Sequence, residues 1–246
     1  MQTLHIATFN IHKGVSSFNL RHVLEEQRDL LRELNAEILF LQEVRGLHLR
    51  HQHLTPAGQH MYLAEQHWPH VVYGKNATRR QGHHGNAVLS RHPIIHHDNI
   101  NISASRLEER GLLHCEIAIT GWPQPLHCIC VHLGLFSRWR REQLALLNAR
   151  IHDMVPRDAP LIIAGDFNDW SHKARDELMQ QQHLHEVFEQ SQGATARSFP
   201  AFFPMLHLDR IYIRGLTVQH SEIHSGMSFG NVSDHAALSA KLVLTP

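Results

Sequence analysis

Residues 162–169 read IIAGDFND: an apolar run, a glycine, then Asp166-Phe167-Asn168 with Asp169 behind them. A run of four apolar residues that begins at Leu161 and ends at a carboxylate reads as a buried strand delivering a polar group at its tip. The pattern recurs in ATFNIH (7–12), LFLQEV (39–44), CVHLGL (130–135), HLDRIYI (207–213) and VSDHAAL (232–238). Shorter apolar runs lie at 71–73, 86–90 and 112–119. Several are apolar on both parities: in 126–133 one face offers Leu126, Cys128 and Cys130, the other Ile129, Val131 and Leu133. Such strands are covered on both sides, which predicts layered sheets with helices outside. Helical period appears at 20–35, at 138–155 and, more briefly, near 171–182, where Ser171 suits an N-cap. With no repeat, linker or composition break, residues 1–246 are expected to form one α+β domain.

The chain has 246 residues, with 23 Lys+Arg against 23 Asp+Glu, and 25 histidines. The zero formal charge excludes a strongly basic nucleic-acid wrapper or a polybasic membrane binder. A polyanion, if bound, must therefore be held by local groups or a metal. Cys115, Cys128 and Cys130 are odd in number and lie in apolar runs. They are expected to be buried free thiols of a reducing compartment. The opening residues MQTLHIATFN lack a basic leader, and no run reaches the roughly 18 apolar residues of a spanning helix. A soluble cytoplasmic protein without a transmembrane segment is expected.

Chemistry is carried at the strand ends. Taken singly, Asn10 and Asp166-Phe167-Asn168 also suit turns, Asp209 suits an ion pair with an arginine, and His132 suits the core. Asp234-His235 also suits a helix cap. Glu43 is harder to place so, because a carboxylate just inside an apolar strand is costly without a partner or metal. Their conjunction at the ends of different strands points to a site. Carboxylates without thiolates suit Mg²⁺ or Mn²⁺. Asp and His can manage the proton of a water, and Asn amides can donate to a phosphoryl oxygen. No nucleophile elbow and no Gly-rich phosphate loop is present. Metal-assisted attack of water on a phosphate ester is the reaction class that results.

With Thr8-Phe9-Asn10, Gln42-Glu43-Val44, GNAVLSR (85–91), Gly165-Asp166-Phe167-Asn168, LDRIY (208–212) and Ser233-Asp234-His235 in order, the chain resembles the endonuclease/exonuclease/phosphatase superfamily. That group includes DNase I, exonuclease III-like enzymes, neutral sphingomyelinases and inositol polyphosphate 5-phosphatases. The resemblance implies a four-layer α/β/β/α sandwich of two mostly antiparallel sheets. It implies Glu43 as principal metal ligand, with Asn10 and Asp234 as companions. Asp166 would orient or deprotonate the attacking water, Asn168 hold the phosphate, and His235 contact it with Asp209 as orienting partner. His132 matches the second histidine of DNase-like and sphingomyelinase-like members. Two departures stand out. His12 replaces a metal-binding Asp of AP-endonuclease-like members, and His84 falls where DNase I-like members carry a carboxylate.

His84, Asn86 and Arg138 are the candidate substrate contacts, with Arg140 and Arg141 beside Arg138. The His-rich stretch 46–84 reads as a poorly periodic insertion, suited to a specificity loop or a solvated one. Phe199, Phe202 and Phe203 suit a groove for lipid or bases, or a loop packed on the core. The expected function is a Mg²⁺- or Mn²⁺-dependent phosphodiesterase acting on a phospholipid, nucleic acid or small diester. No obligate protein partner is inferred. The alternatives are a phosphomonoesterase and a non-catalytic histidine-rich metal-binding protein on a degenerate nuclease fold. Most of the histidines are expected to lie on the surface.

Overall fold

The computed structural model describes residues 2–17, 21–48, 55–170 and 182–245. All of the helix expected near 171–182 except its last residue lies outside them. Two six-stranded sheets form the protein. The first runs β11 (Leu216–His224), β12 (Ala237–Leu244), β1 (Thr3–Asn10), β2 (Ile38–His48), β4 (Gly82–Ser90), β3 (His70–Arg79). The second runs β5 (Ile94–Asn101), β6 (Gly111–Ile117), β7 (Leu126–His132), β8 (Leu161–Asp166), β10 (Asp209–Arg214), β9 (His185–Glu186). Each sheet has one parallel pair, β1 with β2 and β7 with β8; the other pairs are antiparallel.

The two parallel pairs decide where chemistry can occur. Parallel neighbours need a crossover, here α1 (Leu24–Leu34) between β1 and β2 and α3 (Ser137–Met154) between β7 and β8. Each crossover helix covers an outer sheet face. Val23, Leu31 and Leu34 pack with Ala7, Phe9, Leu39 and Leu41 on one side of the protein. Leu144, Leu147 and Ile151 pack with Ile129, Val131 and Ile163 on the other. The inner parity, Leu4, Ile6, Ile38, Phe40, Cys128, Cys130 and Ile162, fills the space between the sheets. Three apolar layers thus hold a four-layer sandwich together, and the alternate parities of 126–133 go where their sequence assigned them. All three cysteines are free and buried.

Within the 46–84 stretch, residues 55–84 are more regular than their sequence suggests. They contain α2 (Gln59–Ala64) and β3; among the described residues, the remaining α-helices are α4 (Val187–Gln192) and α5 (Met227–Gly230), later in the chain. Strand β3 pairs only with β4 and is an edge strand. Among the described residues no strand pairs with its outer flank, so polar residues are tolerated and the apolar alternation that marks a strand is diluted. Edge strands β5 and β11, with their His, Asn, Gln and Glu, were unreadable for the same reason. No helix among the described residues is long and apolar enough to cross a membrane.

Candidate active site

A parallel pair brings both C-terminal ends to one edge of its sheet. Asn10 ends β1, His132 ends β7 and Asp166 ends β8, while Glu43 projects from β2 near the same edge. Parallel register sets His132 opposite Asp166, and antiparallel register sets Asp209 opposite Asp166 on the other flank. The backbone is bent to aim these groups. The β2–β4 register shifts between Leu41 and Val44, and Glu43 inside that bulge has φ 56°. His12, Lys13 and Asn168 also take left-handed φ, at 45°, 57° and 49°. Non-glycine residues held this way cost on the order of 1–3 kcal/mol each and concentrate at functional sites.

Asp166 is the hub. Its Oδ2 accepts from Asn10 Nδ2 at 3.1 Å, and its Oδ1 accepts from the Asn168 backbone N–H at 2.9 Å. His132 Nε2 lies 3.5 Å and His235 Nε2 3.8 Å from the same Oδ2. His235 Nδ1–H donates to Asp209 Oδ2 at 2.8 Å, and the Phe199 ring packs 5.1 Å from the imidazole. The Ser233 hydroxyl fixes that segment: its Oγ accepts from His235 N–H and donates to the Asn10 carbonyl. Asn168 Nδ2 spends one N–H on the Leu133 carbonyl, at 3.0 Å, and has a second to offer.

Burial dominates the electrostatics. It pushes the Asp166 carboxyl up to about 7, with His235 opposing and Asp209 adding to the rise. For His235 burial acts against the charged form, but Asp209 and Asp166 outweigh it and raise the imidazole to about 10. Asp209 and Asp166 together thus favour the charged form of the imidazole between them. Burial, reinforced by Arg110, drives His132 far below its ordinary value and keeps it neutral. Burial also opposes the Glu43 charge, yet nearby basic groups hold its carboxyl well below the usual range. With His132 neutral, the Lys13 ammonium, 2.9 Å from Glu43 Oε2, carries that effect.

The sequence-derived residues divide cleanly. Asp166, Asn168, His132, His235 and Asp209 come together with Asn10. Asp209 pairs with His235, not with an arginine. Glu43 and Asp234 each hold a basic side chain, Glu43 with Lys13 and Asp234 Oδ1 with His12 Nδ1 at 2.9 Å. His84 lies within the field of Glu43 and Lys13, and burial first, then Lys13, lower it to about 4. Asn86 is a correction. It is 1% exposed, and its Nδ2 donates to the Gly111 and Cys130 carbonyls, tying the two sheets together. Arg138 is another: its side chain is 83% exposed on the first turn of α3, 3.7 Å from Glu142. Arg140 is buried and donates to the Gly134 and Leu135 carbonyls. Lys13 was missed, although a lysine three residues beyond Asn10 in NIHKG was the available signal.

A divalent cation fits these donors. Glu43 Oε2 is buried with no hydrogen bond to it and the Lys13 ammonium 2.9 Å away, an oxygen a cation could take over. Asp166, Asp209 and His235 lie within 4.8 Å of one another, but with His235 held as its cation only the two carboxylates of that group could ligate. Asp209 Oδ1 is buried and accepts no hydrogen bond. All the candidate oxygens are hard donors, with no thiolate among them. A sequence profile of the endonuclease/exonuclease/phosphatase family matches residues 7–235. The chain belongs to that family. YbhP of Escherichia coli (strain K12) is 41% identical over 243 residues, covering 97% of this chain and 96% of that protein. An endonuclease/exonuclease/phosphatase from Beutenbergia cavernae superposes with a TM-score of 0.77 at 18% identity, over 100% of this chain and 72% of that one. A mannosyl-6-phosphatase from Bacteroides thetaiotaomicron gives 0.74 at 16% identity, covering 98% of this chain and all of the other. The family's fold serves phosphoester hydrolysis, and the two sheets and flanking helices described above are that fold.

Proposed function

We propose that this chain is a Mg²⁺- or Mn²⁺-dependent phosphodiesterase of the cytoplasm. The observation that carries the reading is the Asp209–His235 pair at 2.8 Å set against an Asp166 that accepts hydrogen bonds from two asparagines. Glu43, with Asn10 Oδ1 and Asp234, would hold the cation, which when bound polarises a phosphoryl oxygen. Asp166 takes the proton of the attacking water; a carboxyl raised to about 7 suits a base working near neutrality. His235, kept cationic and oriented by Asp209, meets the charge that grows on the phosphoryl oxygens. The spare N–H of Asn168 steadies the same group, and neutral His132 is placed to donate a hydrogen bond to the departing oxygen, not a proton.

Charge favours a diester over a monoester. Of the cations close to the site, Lys13 is matched to Glu43 and His235 to Asp209. A monoanionic diester needs less compensation there than a dianionic monoester. The test is hydrolysis of bis- against mono-(p-nitrophenyl) phosphate with Mg²⁺ or Mn²⁺, with and without chelator. Diester cleavage is expected to require metal and to vanish in Asp166→Ala and His235→Ala, both still folded. Undiminished turnover in both variants refutes these roles, and preference for the monoester makes the chain a phosphatase. Tight Zn²⁺ binding that survives both changes, without turnover, would indicate a metal-binding protein instead.

A further inference from the structure

We infer that the mouth of the site is a docking surface for a bilayer carrying anionic phospholipid, a proposal that rests on the phosphodiesterase reading and names its substrate class. Six of the protein's exposed large apolar side chains stand in the loops bordering the site. Leu107, Leu135, Phe136 and Trp170 lie on one side, and Phe203 and Met227 on the other. They are far out in solvent: Leu107 is 83% exposed, Met227 77% and Phe203 75%.

Hydrogen bonds tie each group to the catalytic strands. On the first side, Glu108 accepts from the Leu135 N–H at 3.1 Å, joining the loop of Leu107 to the one that follows His132. Arg140 holds the Leu135 carbonyl and faces the Trp170 ring at 5.9 Å. Asn168 donates to the Leu133 carbonyl in that same loop. On the second side, the Ala201 N–H donates to the Asp234 carbonyl at 2.8 Å, and Gly226 N–H donates to Ala201 at 3.0 Å. Phe203 and Met227 are thus anchored beside Asp234 and His235. Apolar side chains flank the reacting centre from both sides, where a water-facing enzyme would place polar ones.

Charge selects the occupant. Although the whole chain balances, segments 103–110, 134–142, 196–207 and 224–230 contain six arginines and three glutamates; Arg140 is buried, Arg110 and Arg138 are paired, and Arg106, Arg141 and Arg197 stand exposed. The glutamates are all paired, Glu108 with Arg110, Glu109 with Arg79 and Glu142 with Arg138. Apolar tips among arginines match the boundary between acyl chains and anionic headgroups. Single-stranded nucleic acid is the less suitable partner. It calls for aromatic platforms on which successive bases stack; Phe136, Trp170 and Phe203 carry rings, but they are divided between the two sides and interspersed with Leu107, Leu135 and Met227, which offer none.

The experiment is co-sedimentation of the whole protein with vesicles of phosphatidylglycerol and phosphatidylcholine, against phosphatidylcholine alone. Hydrolysis of soluble bis-(p-nitrophenyl) phosphate is run in parallel. Wild-type protein is expected to pellet with the anionic vesicles. The pairs Leu107→Ser with Phe136→Ser, and Phe203→Ser with Met227→Ser, are expected to weaken that binding by about ten-fold or more. Soluble diester turnover should stay within about two-fold, since none of the four touches the reacting groups. Arg106→Ala with Arg141→Ala should erase the preference for anionic vesicles. Vesicle binding absent in the wild type, or unchanged in both serine pairs, overturns the proposal. So does a loss confined to binding of a single-stranded oligonucleotide. Failure of the wild type to cleave the soluble diester would refute the catalytic reading alone, because sedimentation is scored without turnover.

Discussion

Asp209 places Oδ2 on His235 Nδ1 and leaves Oδ1 buried without a partner, so its charge is committed to the imidazole and to whatever else enters the site. Replacing it with asparagine keeps the shape and removes the charge. Asp209→Asn is expected to lower kcat by on the order of 10²–10⁴-fold with little change in KM, as for other carboxylates that orient a catalytic histidine. The pH profile separates this from mere disorder. Asp209 is the larger of the charges that raise His235, so its loss lowers the imidazole, and the alkaline limb of activity should move to lower pH. An unmoved limb with reduced kcat would mean that His235 does not act as a cation. At this scale the sequence was informative about which residues gather: His132, Asp166, Asp209 and His235, read from separate strand ends, meet at one edge of the sheets. It misled where direction matters. Asn86 lies in a legible motif but its side chain joins the two sheets, and Arg138 lies on a helix turn that faces water.

At the scale of elements, the β7–β8 pair is what sets His132 beside Asp166. That pairing requires Gly165, whose φ is 147° and whose added Cβ would lie 2.0 Å from the Val131 carbonyl oxygen on β7. Backbone cannot yield as a side-chain tip does, so Gly165→Ala is expected to cost about 3 kcal/mol or more. A urea midpoint within error of the wild type would contradict this. Helix α4 gives a prediction of opposite sign. Glu186 caps it by accepting from Glu189 N–H at 2.7 Å, yet burial, partly opposed by that bond and by Arg210, raises its carboxyl to about 7. The unfolded chain loses this proton near 4.5, so stability falls as pH rises from about 4.5 through 7. Glu186→Gln keeps an acceptor for the cap and abolishes the charge. It is expected to stabilise the protein by about 1–3 kcal/mol at pH 8 and by little at pH 4.5, read as urea midpoints. The elements the sequence revealed, β1, β2, β7, β8, β10 and the crossover helices, are those covered on both faces or along one stripe. Of those it left unread, β5 and β11 are edge strands whose free flank relaxes the pattern, and in edge strand β3 only 71–73 stood out.

For the whole molecule the 25 histidines set the limit on acid stability. They are mostly outside the core, as the composition suggested, but His114, His127, His132 and His235 are buried. Away from the site, Arg150 Nε–H donates to His114 Nδ1 at 3.0 Å, and His114 Nε2–H donates to His127 Nδ1 at 3.0 Å. Each proton in this chain is used once, so neither imidazole can gain another without breaking a bond. Burial, then Arg150, lowers His114 to about 3; burial also lowers His127, and it lowers His60, stacked on Tyr73, to about 4. A depressed imidazole is neutral when folded while the unfolded chain charges below about 6.5, so stability drains away as pH falls from there towards 4. At pH 5 each such group costs about 2 kcal/mol, and several together rival a total stability of roughly 5–15 kcal/mol. The urea midpoint is therefore expected to fall steadily from pH 7 to 5, with cooperative unfolding between about pH 4 and 5. His114→Gln, which cannot charge, should flatten that slope. The same acidification makes a neutral chain cationic, so affinity for anionic vesicles should rise from pH 8 to 6 and collapse where the fold is lost. A midpoint constant from pH 7 to 5 would show that the buried imidazoles accept protons without cost, and the collapse would then have no cause.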